Sequence, residues 1–154
     1  MSSDLWSFSL SLYARPGVER ACLHLQSTGV NVCLLLCAAW LAERGVACNE
    51  QRLQQLRSTV EPWDAGVVRP LRALRMQWKT AATQDVGLHT LREQVKALEL
   101  EAERHLLLRL EQLTQDWPQD EATDLAVWLE DVAACAPHPD RDALHQLRVA
   151  VSGT

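Results

Sequence analysis

The stretch Asn31-Val32-Cys33-Leu34-Leu35-Leu36-Cys37-Ala38-Ala39-Trp40-Leu41-Ala42-Glu43-Arg44-Gly45 decides the fold. It opens on an asparagine, a good helix N-cap, and closes on a glycine, the residue that most readily ends a helix. Between Val32 and Ala42 the helix is apolar around its whole circumference. A surface helix carries one apolar stripe, whereas a helix that is apolar all round has to be enclosed by other elements. The run is shorter than the roughly 20 residues needed to cross a bilayer. It reads as the central helix (31–45) of a bundle, and the remainder of the chain must provide the helices that wrap it.

Working outward, those helices are present. Asp4 caps a first helix with Leu5, Phe8 and Leu12 on one face and Trp6, Leu10 and Tyr13 beside it, and Arg15-Pro16-Gly17 breaks it. A second helix, about 17–27, buries Val18, Ala21, Cys22 and Leu25. Asn49 caps a fourth with Leu53, Leu56 and Val60 in line, and Glu61-Pro62-Trp63 marks a boundary. The next stretch, Trp63 to Ala82, contains Pro70, which either kinks the helix or restarts it. The sixth and longest helix, near 86–114, spans roughly 42 Å by its rise per residue. Its expected core stripe is Leu88, Leu91, Val95, Leu98, Ala102, Leu106 and Leu113. Asp116-Trp117-Pro118 ends it, Asp120 and Asp124 read as caps for a seventh helix, and a last helix starts near Pro139 or Asp140. Alternating strand patterns and hairpin dipeptides are missing. The fold class is therefore all-α: a single-domain helical bundle of about seven to eight helices over residues 1–151, with 152–154 as a frayed C-terminus.

The 154 residues suit one domain able to bury close to about 70% of its unfolded surface, and 47% apolar with 23% charged residues excludes disordered and disulfide-framework classes. Net charge is −5, unequally spread. Residues 1–82 hold nine Lys/Arg against six Asp/Glu, and residues 83–154 hold six against fourteen, so the two halves attract. An acidic whole argues against a nucleic-acid partner, which demands phosphate-neutralising cations on one surface. No basic leader with an apolar core opens the chain, and the five cysteines are odd in number and lack Cys-x-x-Cys spacing. Together these features predict a cytoplasmic protein with reduced thiols and no membrane partner.

One polar constellation stands out. At about 100° per residue Arg72, Arg75 and Lys79 share an edge of the fifth helix, and Glu99 and Glu103 share an edge of the sixth. If the two helices form an antiparallel hairpin, guanidinium groups meet carboxylates at the margin of a partly buried interface. Two carboxylates at i,i+4 repel, so a neighbouring cation is expected, with Lys96, Arg72 and Arg75 the candidates. The bland reading is a salt-bridge network that sets helix register; the functional one is a polar cleft for a small anion or other small ligand. Metal coordination by the two glutamates is not expected, because helical carboxylate sites normally include Glu-x-x-His, which is missing here. Arg109 falls within the expected core stripe and must snorkel or find an acidic partner.

Six tryptophans outnumber the single Phe8 and Tyr13. Trp6, Trp40 and Trp78 read as internal, while Trp63 and Trp117, beside prolines at helix ends, are candidate anchors for another protein. No phosphate-cradling glycine loop and no Gly-x-Ser-x-Gly elbow is present, so no catalytic residue, cofactor or metal ligand is assigned. The leading expectation is a non-enzymatic protein-interaction module whose partner is another protein. The alternative is a small-anion or small-ligand pocket, possibly enzymatic, formed by Arg72, Arg75, Glu99 and Glu103 between helices 5 and 6. Self-association through Leu100 and Leu107, giving a homo-oligomer, is compatible with either.

Several segments also resemble a family of small uncharacterised proteobacterial proteins, a domain of unknown function. They are Asp4-Leu5-Trp6-x-Phe8-Ser9-Leu10-x-Leu12-Tyr13, Gly17-Val18, Cys22-Leu23-x-Leu25-Gln26, Leu34-Leu35-Leu36-Cys37-x-x-Trp40-Leu41, Pro70-Leu71-Arg72-x-x-Arg75 and Leu98-Glu99-x-x-Ala102-Glu103. The resemblance runs to about Leu113 and implies a bacterial cytoplasmic protein. It brings no reaction, substrate or cofactor, but its motifs include the same four charged residues.

Overall fold

In the computed structural model α3 (Val32–Glu43) occupies the centre, and each residue from Cys33 to Ala42 is buried. The Asn31 side chain accepts from the Leu34 N–H at 2.9 Å, which satisfies one of the orphan donors of the first turn. The structure describes residues 4–121, 123–136, 138 and 140–153. Around α3 pack α1 (Leu5–Tyr13), α2 (Val18–Ser27), α4 (Glu50–Trp63), α6 (Val86–Thr114), α7 (Leu125–Ala133) and α8 (Arg141–Ser152). The eighth α-helix, α5 (Arg69–Gln77), packs against α6. Among the described residues there is no strand, and no helix is long and apolar enough to cross a membrane. The all-α bundle around a central apolar helix is therefore the fold. Its last residue, Thr154, lies outside the described residues, as does Pro139, one of the two expected starts of α8; Asp140 caps that helix through Ala143 N–H at 3.0 Å.

Aspartate and asparagine caps recur because each holds a first-turn N–H: Asp4 on Ser7 at 2.7 Å, Asn49 on Arg52 at 2.9 Å and Asp85 on Leu88 at 3.1 Å. Asp124 departs from its expected capping role. Its carboxylate instead accepts from the Cys48 N–H at 2.9 Å, tying the start of α7 to the loop before α4. The fully buried Trp128 indole donates to the Val46 carbonyl at 2.9 Å and locks the same junction from inside.

Pro62 does not form the expected boundary. The helix passes through it to Trp63, winds through one π turn (Asp64–Val68) and continues as α5, with Pro70 in its first turn. The physical reason lies at Pro70, which has no N–H and whose ring crowds the carbonyl four residues back. Widening the winding, so that the Arg69 N–H reaches the Asp64 carbonyl, relieves that crowding without breaking the rod.

The sixth helix also departs from its expected stripe. Leu91 and Leu98 are exposed by about half, while Val95, Glu99, Ala102, Leu106, Leu107, Leu110 and Thr114 are buried. The C-terminal half of α6 enters the bundle and faces it with Leu106, Leu107 and Leu110. Its N-terminal half is covered by α5, which itself has no fully buried residue. The expected self-association strip is split by this rotation: Leu100 is exposed and Leu107 belongs to the core.

Candidate functional site

The four charged residues singled out in the sequence come together where α5 crosses α6. Arg72 Nε lies 3.2 Å from Glu99 Oε2, and Arg75 Nε lies 2.5 Å from Glu99 Oε1, with Arg75 Nη2 3.3 Å from Oε2. Glu99 is thus a buried carboxylate held by two guanidinium groups, the geometry that arginine forks favour. Its hydrogen bond raises the Arg75 pKa above the ordinary arginine value. Arg92 Nε donates to the Arg75 carbonyl at 2.9 Å and binds the backbone of α5 to α6. Lys96 takes no part; it pairs with Glu93 at 3.2 Å.

Glu103, one turn further along, is served less well. Its contact with a cation among the described residues is Arg72 Nη2 at 3.8 Å, from a guanidinium already engaged by Glu99. The Gln26 amide, turned so that its oxygen faces the guanidinium, also accepts from Arg72 Nη2 at 2.7 Å. Burial and the negative charge of Glu99 push the Glu103 carboxyl up to about 7, and Arg72 and Arg75 hold it back only in part. At neutral pH this carboxyl is poised between its two protonation states.

A cavity of about 550 Å³ adjoins the cluster, walled by α1, α2, the α2–α3 turn, the start of α3, the end of α4, the π turn, α5 and α6. Arg72, Arg75, Glu99 and Glu103 form one side of it. Three leucines on the lining, Leu10, Leu23 and Leu100, come from three different helices, and each is exposed by about half. Tyr13, Cys33 and Ser9 also line it. Ser9 is only 3% exposed, and its Oγ, itself closed to solvent, has no hydrogen-bond partner among the described residues. A buried hydroxyl left unpaired costs about 1–3 kcal/mol. Burial pushes the Tyr13 hydroxyl up to about 12 and raises the Cys33 thiol well above its ordinary value, so both stay protonated at neutral pH.

Asp64 at the start of the π turn and Arg69 at the start of α5 close the wall, paired at 2.9 Å, with Glu61 3.7 Å from the same guanidinium. Neither Asp64 nor Arg69 stands out in the sequence. Ser9 does leave a faint signal, as a hydroxyl among Leu5, Phe8 and Leu12 on the inward face of α1.

The tryptophans are placed elsewhere. Trp63 and Trp117 are half-buried and packed against the core. The Trp63 indole donates to the Ala102 carbonyl at 2.8 Å, and the Arg109 guanidinium lies 3.9 Å over its ring. Arg109 thus finds neither solvent alone nor an acid but an aromatic face. Arg52 lies 5.4 Å over Trp117. Trp40 is buried as expected, whereas Trp6 and Trp78 are half-buried.

The matched family model covers residues 4–110, from the α1 cap to within a turn of the end of α6. The chain belongs to DUF2390, a family of proteins of unknown function. Every charged residue of the cluster and every cavity-lining residue named above lies inside the DUF2390 match, and α7 and α8 lie beyond it. No curated protein and no solved structure matches the chain.

Proposed function

We propose that this protein binds a small, largely apolar organic molecule in the cavity beside the Arg72–Arg75–Glu99–Glu103 cluster. The observation that carries the reading is a cavity of about 550 Å³ that sets half-exposed leucines from three helices beside the charged cluster. Pockets for small molecules fall at about 300–1,000 Å³ and combine a mainly apolar lining with a few polar groups that orient the ligand. Leu10, Leu23 and Leu100 provide apolar contact at the rim, and Tyr13, Arg72 and Glu103 provide the polar set. The compartment we infer from the sequence is the cytoplasm of a bacterium.

The test is saturable binding of the neutral fluorophore N-phenylnaphthylamine. Leu10→Trp, an exposed position, narrows the cavity without touching the core. We expect single-site binding that this variant weakens by about tenfold or more. Dye binding that is absent, or indifferent to Leu10→Trp, would overturn the reading.

A second reading, docking of another protein, is supported by exposed Leu91 and Leu98, which share one face of α6 at a seven-residue spacing, with exposed Met76 on α5. The half-buried Trp63 and Trp117 would contribute at most their ring edges.

A further inference from the structure

The C-terminal part of the chain is acidic, yet its two arginines line one groove. Residues 115–154 hold eight Asp/Glu and two Arg, Arg141 and Arg148. Both arginines belong to α8 and line a groove of about 480 Å³ between α7 and α8. Among the described residues neither forms an ion pair with any of those acids. Arg141 is also placed against its local preference. It is the first residue of α8, where a cation opposes the helix dipole, so helix stability does not account for it.

His145 stands between the two arginines, about one helical turn from each. Its Nδ1 lies 3.0 Å from Arg148 Nη2. A guanidinium only donates, so Nδ1 is the acceptor, and the neutral ring carries its proton on Nε2. The edge formed by Arg141, His145 and Arg148 therefore offers hydrogen-bond donors and no free acceptor. Apolar lining comes from Leu129, which is 2% exposed, and from half-buried Ala126 and Leu144. Glu130 of α7 is the acid on the lining, and the two guanidinium groups outnumber it.

We infer that this groove is a second binding site, separate from the cavity at the α5–α6 cluster, and that it takes a small amphipathic oxyanion. The carboxylate or phosphate head sits on the Arg148–His145 pair, with Arg141 adding positive charge from the next turn. The apolar body runs along Ala126, Leu129 and Leu144. An entering anion displaces no carboxylate, because neither arginine is paired with one, and guanidinium forks suit both kinds of head group. A cation would meet two guanidinium groups instead. A groove of this volume with an apolar lining and a few convergent polar groups matches what small ligands occupy.

The experiment is a magnetic-resonance titration of the full chain at neutral pH and physiological ionic strength, which screens diffuse attraction between exposed charges. The probes are sodium hexanoate, hexyl phosphate, hexylammonium chloride and inorganic phosphate. Hexanoate and hexyl phosphate are expected to shift amides of α7 and α8 saturably, the tighter of the two naming the head group, and hexylammonium to bind at least about tenfold more weakly. Arg148→Gln should weaken both anions by about fivefold or more, and Glu130→Gln should tighten them by a few-fold, a gain that an unfolded variant could not give. Both positions are exposed. Leu10→Trp should leave the titration unchanged, since it narrows only the other cavity. Three results would overturn the inference: no saturable shift in α7 and α8, affinity indifferent to Arg148→Gln, or inorganic phosphate binding as tightly as hexyl phosphate, which would mark a counter-ion patch only. Shifts confined to α1, α5 and α6 would also overturn it while leaving the pocket of the proposed function standing.

Discussion

Around α3 ten consecutive residues are buried and none is charged, whereas along α5 no residue is fully buried and its contact with α6 runs through Arg72, Arg75 and Glu99. The helix that joins these regimes is α6, whose C-terminal half faces the bundle with Leu106, Leu107 and Leu110 and whose N-terminal half buries little beyond Val95 and Glu99. The difference teaches where each kind of force is available. Near α3 enough chain surrounds each side chain for apolar burial to hold the structure. Where only two helices remain, that source thins out, and directional charge pairing takes over the setting of register. The cavity lies at the changeover, because there the packing is no longer dense and the charges are not yet solvated.

The sharpest way to break this comparison is to remove equal apolar volume from each region. Leu35→Ala, at a fully buried position of α3, should destabilise the protein by about 3–5 kcal/mol in urea unfolding. Leu91→Ala, half-exposed on the outer part of α6, should change it by less than about 0.5 kcal/mol. Comparable losses at the two sites would mean that the α5–α6 pair has an apolar core after all.

A smaller effect is expected at the charge pair. Glu99→Ala leaves two partly buried guanidinium groups without their acid and should cost about 2–4 kcal/mol. Amide exchange should quicken in α5 while α3 stays protected. Replacing Arg72, Arg75 and Glu99 together by methionine should bring stability back to within about 1 kcal/mol of the parent, since a whole buried ionic cluster is often no better than an apolar one. A triple variant as unstable as Glu99→Ala would show that the network contributes more than register.

The smallest effect concerns Glu103. Its pKa is about 7 in the folded chain against an ordinary value of 4.5, so between those values the folded state holds a proton that the unfolded state has lost. Stability therefore falls as pH rises from about 4.5 to about 7, and this contribution is flat outside that window. Glu103→Gln should remove the loss, raising stability by roughly 1–2 kcal/mol at pH 8 after solvent screening is allowed for, and by nothing at pH 4. Thermal unfolding at the two pH values checks it, with a Tm gain of roughly 3–6 °C expected only at the higher one.

Much of the bundle was legible because its signals are local. The all-round apolar character of α3 and the caps Asp4, Asn31 and Asn49 each act within a turn or two of chain, and all appear where the sequence places them. The meeting of Arg72 and Arg75 with Glu99 was also legible, since opposite charges on two adjacent helix edges have one short way to pair. The register of α6 was not. Ranking side chains by apolarity puts Leu98 inside and Glu99 at the edge, yet the arginines of α5 provide a partner that makes the carboxylate the better buried group. The continuity through Pro62 escaped for a related reason, because a proline announces a missing donor but not the wider turn that accommodates it. The cavity was beyond reach, being shaped by segments far apart in the chain, and Ser9 and Asp64 gain meaning only once those segments are assembled.

The π turn at Asp64–Val68 places one residue more in its loop than regular α winding would. Everything downstream is consequently rotated by about 100° from the azimuth that an unbroken helix from α4 would give it. That offset directs the Arg72–Arg75 edge at Glu99, and Asp64, its first residue, sits on the cavity wall. The winding irregularity is thus a phase adjuster: the aim of the ionic seam is set by an extra residue in a helix whose own composition gives no hint of the bearing it imposes.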